Sequence, residues 1–217
     1  TGDGKLDLVT ARGRDVLSVL FGNGDGTFGS KTTIEGPGGP IAAADLNADG
    51  RPDLITPNAD RSGISVHLGQ ADGSFAAGID ALTGRSPCGI ATGDVDGDGK
   101  LDLVVSNAPQ GTVSVLRGNG DGTFMPRVDL GAGGGPCDLA LRDLNADGKP
   151  DLVVVNNNSG TLTLRLGNGD GSFQRRVDYP FEAPEYGSRS PLLVGDFNGD
   201  LHPDVIVLDA RRHVVQL

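Results

Sequence analysis

The nine residues Asp94-Val-Asp-Gly-Asp-Gly-Lys-Leu-Asp102 return along the chain at a fixed spacing. Upstream they stand as Asp45-Leu-Asn-Ala-Asp-Gly-Arg-Pro-Asp53. Downstream they stand as Asp143-Leu-Asn-Ala-Asp-Gly-Lys-Pro-Asp151 and Asp196-Phe-Asn-Gly-Asp-Leu-His-Pro-Asp204. The opening Asp residues are 49, 49 and 53 residues apart. A truncated copy opens the chain as Thr1-Gly-Asp-Gly-Lys-Leu-Asp7. A second motif runs in phase with the first: Gly22-Asn-Gly-Asp-Gly-Thr-Phe28, Gly69-Gln-Ala-Asp-Gly-Ser-Phe75, Gly118-Asn-Gly-Asp-Gly-Thr-Phe124 and Gly167-Asn-Gly-Asp-Gly-Ser-Phe173. A period of 40 to 50 residues is the signature of a repeat architecture, each unit being one supersecondary element.

Between the markers lie four short strand patterns. One precedes the acidic motif, as in Ile90–Gly93 and Leu139–Arg142. The next follows it as an unbroken apolar run (Leu103–Val105, Leu152–Val155, Val205–Leu208), which suits a strand covered on both faces. The third alternates, as in Ile64-Ser-Val-His-Leu68 and Val113-Ser-Val-Leu-Arg117, with a period of two. Asn-Gly-Asp-Gly then turns the chain, since Gly and Asn tolerate positive φ. The fourth pattern is expected to start at the Thr-Phe or Ser-Phe pair. Four strands per repeat predict an all-β fold, a β-propeller of four-stranded antiparallel blades. Eighteen strands are expected, about four and a half blades, in one segment spanning residues 1–217. Their acidic loops fall at 1–7 (partial), 45–53, 94–102, 143–151 and 196–204.

Composition agrees. The 217 residues include 36 Gly, 13 Pro and no Trp, so a core has to come from Val, Leu and Ile. There are 26 Asp but only 3 Glu, and fifteen of these 29 acids lie in the nine-residue motif. Net charge is −11. Neither a basic stripe nor a nucleic-acid-reading motif is present, which excludes that class of partner. No apolar run is long enough for a membrane-spanning helix. Catalytic signatures are missing too: no Gly-x-Ser-x-Gly elbow, phosphate loop or Cys/His zinc pattern occurs. His67 alternates with Val66 and Leu68 and is expected to face outward, and the chain is read as a non-enzyme.

The phased pair Asp-x-Asn-x-Asp-Gly-x-x-Asp and Gly-Asn-Gly-Asp-Gly-Thr-Phe resembles the FG-GAP/VCBS repeat of bacterial secreted proteins, a repeat type that also builds the integrin α propeller. Phe21-Gly22 is the one literal Phe-Gly at its place, and a Gly-Ala-Pro triplet is absent. The resemblance implies that each acidic loop joins two strands of a blade and binds one Ca²⁺. The chemistry of the loop points the same way: oxygens at positions 1, 3 and 5 converge when the chain curls, position 6 takes the bend, and a carbonyl at 7 and a carboxylate at 9 complete the shell. The implied ligands are Asp45, Asn47, Asp49, Arg51 (carbonyl) and Asp53; Asp94, Asp96, Asp98, Lys100 and Asp102; Asp143, Asn145, Asp147, Lys149 and Asp151; Asp196, Asn198, Asp200, His202 and Asp204. Three to four Ca²⁺ are expected; metal-free Asx turns are the alternative. Leu201 stands at position 6 of the last loop, where the others have Gly. The Asn-Gly-Asp-Gly turns carry one carboxylate each (Asp25, Asp72, Asp121, Asp170) and are read as plain hairpins.

Alternating strand directions put the calcium loops and the Asn-Gly-Asp-Gly turns on one face. The connections Asn58–Ser62, Asn107–Gln110, Asn156–Ser159 and Tyr179–Ser190 fall on the other. A protein or carbohydrate ligand is expected on that second face, with both tyrosines in the longest loop. The need for abundant Ca²⁺ implies an extracellular or cell-surface location, in a segment of a longer chain or assembly. Two roles stay open, a binding or adhesion module (a lectin among them) and a structural scaffold. Cys88 and Cys137 lie 49 residues apart at equivalent places in adjacent repeats. A bridge between blades and two buried thiols both fit that placement.

Overall fold

The computed structural model describes residues 2–12, 16–35, 38–58, 60, 62–181, 189–209 and 214–216. Their eighteen strands form five antiparallel sheets. Blade 1 holds β1 (Leu8–Arg12), β2 (Val16–Gly22) and β3 (Phe28–Glu35). Blade 2 holds β4 (Ala42–Ala44), β5 (Asp53–Pro57), β6 (Gly63–His67) and β7 (Ile79–Leu82). Blade 3 is β8 (Pro87–Gly93), β9 (Asp102–Asn107), β10 (Thr112–Leu116) and β11 (Val128–Gly131). Blade 4 is β12 (Pro136–Arg142), β13 (Asp151–Asn156), β14 (Thr161–Arg165) and β15 (Val177–Pro180). Blade 5 shows β16 (Leu192–Gly195), β17 (Asp204–Asp209) and β18 (Val214–Gln216). Within each sheet the strands follow chain order. Strands β4, β8, β12 and β16 meet one after another and form the inner row of a propeller.

The apolar runs of the second strands are explained by what covers them. Leu103 and Val105 of β9 join Ile55, Ile64 and Val66 of blade 2 in one core. Val104, between them, faces the other way and packs with Leu139, Leu141, Leu152 and Val154 of blade 4. All three are fully buried. A strand between two blades has no polar face, so period-two alternation disappears there.

The outer strands depart from expectation. Only β3 starts at its Phe. In blades 2, 3 and 4 the Phe makes a single bridge to the Gly that opens the turn (Gly69↔Phe75, Gly118↔Phe124, Gly167↔Phe173), and the strand begins four residues later. The rings explain the interruption. Phe124 packs on the core between blades 2 and 3, and Phe173 on the core between blades 3 and 4. Tyr179 and Pro180, assigned from sequence to the long loop, belong to β15, and residues 182–188 of that loop lie outside the described residues. His67 is buried, with Nδ1 3.4 Å from the Ala76 carbonyl oxygen, rather than outward-facing.

Cys88 and Cys137 are bonded, with Cα atoms 4.7 Å apart. The inner strands come this close because of Gly89. A Cβ on that residue would stand 2.2 Å from the Cys137 carbonyl oxygen. Ser106 Oγ fastens the same spot, accepting from Gly89 N–H at 2.8 Å and donating to Cys137 O at 3.0 Å.

Candidate metal-binding loops

Each acidic loop joins the inner strand of a blade to the next strand, and the local hydrogen bonds show why its sequence curls. The position-1 carboxylate folds over the loop and caps its backbone. Asp94 accepts from Gly97 N–H (2.7 Å) and Gly99 N–H (2.9 Å). Asp45 accepts from Asp49 and Gly50, Asp143 from Asp147 and Gly148, and Asp196 from Gly199 and Leu201. The position-5 carboxylate accepts from the N–H at position 7: Asp49 from Arg51, Asp98 from Lys100, Asp147 from Lys149 and Asp200 from His202. Position 6 is left-handed throughout, with φ of 82° at Gly50, 83° at Gly99, 81° at Gly148 and 69° at Leu201. Leu201 thus takes the bend with a side chain, at a cost Gly avoids.

Position 9 has a double role that sequence reasoning missed. Asp102 is fully buried. One of its oxygens accepts from Val95 N–H in its own loop and the other from Gly118 N–H at the head of the outer turn, both at 2.8 Å. Asp53 brackets Leu46 and Gly69 in the same way, and Asp151 brackets Leu144 and Gly167. Asp7 holds Gly22, and Asp204 holds Phe197. The bracket fixes the acidic loop to the Asn-Gly-Asp-Gly turn of its own blade. It also requires Gly at 22, 69, 118 and 167, where a Cβ would stand 2.1–2.4 Å from the carbonyl oxygen at loop position 8. That fourfold Gly was the signal in the sequence.

Burial raises the carboxyl of Asp102 above its ordinary value, against the N–H bonds from Gly118 and Val95 and with a further push from Asp96 and Asp94. Asp53 is raised likewise by burial, against its bonds from Gly69 and Leu46, with Asp49 and Asp45 adding to it. Carboxylates gathered in this way favour a bound cation, which offsets both desolvation and mutual repulsion.

Blade 3 has the densest donor set. Oxygens of Asp94, Asp96 and Asp102 lie within 4.8 Å of one another. Asp98, the remaining side-chain donor proposed there, is directed at Lys100, whose Nζ is 3.2 Å away. The other three complete loops carry Asn47, Asn145 and Asn198 at position 3, each donating Nδ2 to the position-5 carboxylate. An all-oxygen set of three carboxylates, an amide and a backbone carbonyl, or in blade 3 four carboxylates and a carbonyl, fits a hard divalent cation, and the residues present fit Ca²⁺. By contrast, the Asn-Gly-Asp-Gly carboxylates are taken up locally. Asp121 accepts both the hydroxyl and the N–H of Thr123, which hold it below its ordinary value. Asp25, Asp72 and Asp170 do the same with Thr27, Ser74 and Ser172.

Loops and turns also join neighbouring blades. Gly171 N–H, in the outer turn of blade 4, donates to Val95 O in the acidic loop of blade 3 at 2.9 Å. Arg117 lies against the same turn and has its Nη1 3.7 Å from Asp96 Oδ2.

Fold and loops together define a propeller-type array of acidic-loop repeats. The FG-GAP-like repeat model matches residues 1–56, 45–105, 94–154 and 143–207, and the chain belongs to that family. No curated protein sequence matches it. Among solved structures it is similar to an Agrocybe aegerita lectin that recognises non-reducing terminal N-acetylglucosamine, with 24% identity and a TM-score of 0.65 over 100% of this chain and 63% of the lectin. The chain therefore spans less than two thirds of the lectin's length. It is also similar to the Photorhabdus luminescens Tc holotoxin pore (22% identity, TM-score 0.51, 98% of this chain and 10% of that one). A protein from Bacteroides caccae has 12% identity and a TM-score of 0.52, over 97% of this chain and 71% of that one. At such identities the likeness concerns the fold. No helix among the described residues is long and apolar enough to cross a membrane.

Proposed function

We propose that this chain is a calcium-stabilised binding module of a secreted or surface protein, acting by recognition rather than catalysis. The observation that carries the reading is the convergence of Asp94, Asp96 and Asp102 oxygens within 4.8 Å, in a loop whose sequence pattern recurs in three further complete copies. Residues Asp45, Asn47, Asp49 and Asp53, their counterparts in the other loops, and the carbonyls of Arg51, Lys100, Lys149 and His202 would hold the ions. A cation held there would neutralise the loop carboxylates and stiffen the connection between the inner two strands. The Cys88–Cys137 bridge supports an oxidising, extracellular setting, where Ca²⁺ is abundant.

The ligand of the module is a carbohydrate or a protein, taken on the face opposite the acidic loops, at the far ends of β5, β9 and β13. A lectin of the same fold favours carbohydrate as the first class to test. Glycan-array binding with and without Ca²⁺ is the experiment. Calcium-dependent signal on defined glycans supports the lectin reading. Silence on every glycan points to a protein ligand or a scaffold, the runner-up role.

A further inference from the structure

Four Asn-Gly pairs occur in the chain, at Asn23, Asn119, Asn168 and Asn198. The first three stand in outer turns, and the fourth stands in the acidic loop of blade 5. In such a pair the Gly nitrogen reaches the preceding side-chain amide readily, because Gly adds no Cβ and turns freely. The four differ in how the reacting atoms are held.

Three hydrogen bonds meet on the pair in blade 5. Gly199 N–H donates to Asp196 Oδ1 at 2.7 Å. Asn198 Oδ1 accepts the Asp200 N–H at 2.8 Å, and Asn198 Nδ2 donates to Asp200 Oδ2 at 3.1 Å. A carboxylate on the Gly199 N–H raises electron density on that nitrogen. An N–H on the amide oxygen stabilises the charge that develops there when Cγ is attacked. All of these residues are exposed, so water reaches them.

No other place combines these features. In the outer turns Asn23, Asn119 and Asn168 turn Nδ2 to the hydroxyls of Thr27, Thr123 and Ser172 at 2.8–2.9 Å, and among the described residues no N–H meets their side-chain oxygens. In blades 2 and 4 Asn47 and Asn145 precede Ala, and Asp45 Oδ1 and Asp143 Oδ1 take the N–H at position 5 instead of position 4. Blade 3 holds Gly97 on Asp94 as blade 5 holds Gly199, but its position 3 is the carboxylate of Asp96, not an amide.

We propose that Asn198 is a self-modification site, at which the Gly199 nitrogen attacks Asn198 Cγ and the loop converts its own amide to a carboxylate. The new N–Cγ bond closes a succinimide ring, the Cγ–Nδ2 bond breaks, and ammonia leaves with the proton lost by Gly199 N. Water then opens the ring at either of its two carbonyls, giving an aspartyl or an isoaspartyl residue. The net change is amide plus water to acid plus ammonia, with no redox step. The aspartyl product gives this loop the position-3 carboxylate that blade 3 has in Asp96. The isoaspartyl product lengthens the backbone inside the loop by one atom. Packing does not require Gly at 199: a Cβ there would meet nothing within 4 Å, and Ala48 and Ala146 hold the same place at φ of 57° and 59°. The inference concerns the metal-free loop and does not depend on the calcium reading.

The test is incubation of the full chain with EDTA in H₂¹⁸O, followed by tryptic digestion and mass analysis of the four Asn-Gly peptides. The peptide Ser190–Arg211 contains Asn198 as its one Asn. It is expected to gain ¹⁸O-labelled acid, as separable aspartyl and isoaspartyl forms, roughly 10-fold faster than the peptides of Asn23, Asn119 and Asn168. In urea that order is expected to vanish, because the hydrogen bonds that set it are gone. Gly199→Ala is expected to abolish labelling at Asn198. Ala146→Gly is the converse change and is expected to bring Asn145 up to the Asn198 rate, which keeps the test decisive if Gly199→Ala does not fold. Labelling at Asn198 no faster than in the outer turns, the same order in urea as in the folded chain, or an unlabelled Asn145 in Ala146→Gly overturns the proposal.

Discussion

Asp102 accepts the N–H of Gly118, sixteen residues further along the chain, at 2.8 Å. Its other oxygen accepts Val95 N–H, so one buried carboxylate ties an acidic loop to the outer turn of the same blade. Position 9 therefore works as a structural bracket before any cation is considered. The Asp98 carboxylate, at position 5, is held by the N–H and the ammonium of the neighbouring Lys100, within its own loop.

This separates two carboxylates that a ligand list treats alike. Asp102→Ala leaves two buried N–H groups without an acceptor, at a cost of roughly 1–3 kcal/mol each. A drop in melting temperature is expected even in EDTA. Asp98→Ala is expected to be nearly neutral in EDTA and to remove one ion from the Ca²⁺ stoichiometry. Equal melting temperatures of the two variants in chelator would show that the bracket carries no stability.

Calcium is expected to raise the melting temperature of the whole chain. A ligand present at 100 times its Kd stabilises by about 2.7 kcal/mol per site. Elemental analysis should return three to four Ca²⁺ per chain. An identical melting curve with Ca²⁺ and with EDTA, together with no bound metal, would falsify the metal assignment.

Blade 3 alone carries Asp at position 3 of its loop, and blade 3 alone places Arg117 beside it, where blades 2 and 4 have Leu68 and Leu166. The arginine competes with a cation for Asp96. Arg117→Leu is expected to tighten Ca²⁺ binding at that loop by two- to threefold, in line with the ~0.5 kcal/mol typical of a partly exposed pair. Calorimetric titration reads the change, and weaker or unchanged binding would remove Arg117 from the account.

Replacing Cys88 and Cys137 by Ser is expected to cost about 2–5 kcal/mol, the usual range for losing a native bridge. Gly89→Ala should lower stability in the oxidised protein too, because its Cβ meets the Cys137 carbonyl oxygen. Mass analysis after alkylation of unfolded, unreduced protein checks the bridge directly. Two alkylated thiols would contradict it.

Strand order, blade number and the donor pattern of the loops are written locally in this chain. A position-1 Asp caps its own loop within five residues, and position 6 bends as Gly or Leu over the same span, so a window of nine residues contains the physics. The apolar runs announce strands covered twice because burial on both faces erases alternation. Contacts between segments a full blade apart had no such local signature. Within a blade, the second partner of Asp102 is a backbone N–H sixteen residues away, and since any residue but Pro presents one, only the Gly recurring at 22, 69, 118 and 167 marks it in the sequence. The 4.7 Å approach of Cys88 to Cys137 depends on the contact of inner strands β8 and β12 that Gly89 permits, which their equivalent places in the repeat do not state. His67 keeps an outward phase in the sequence yet is buried, because Ala76 and Gly78 fold back over β6.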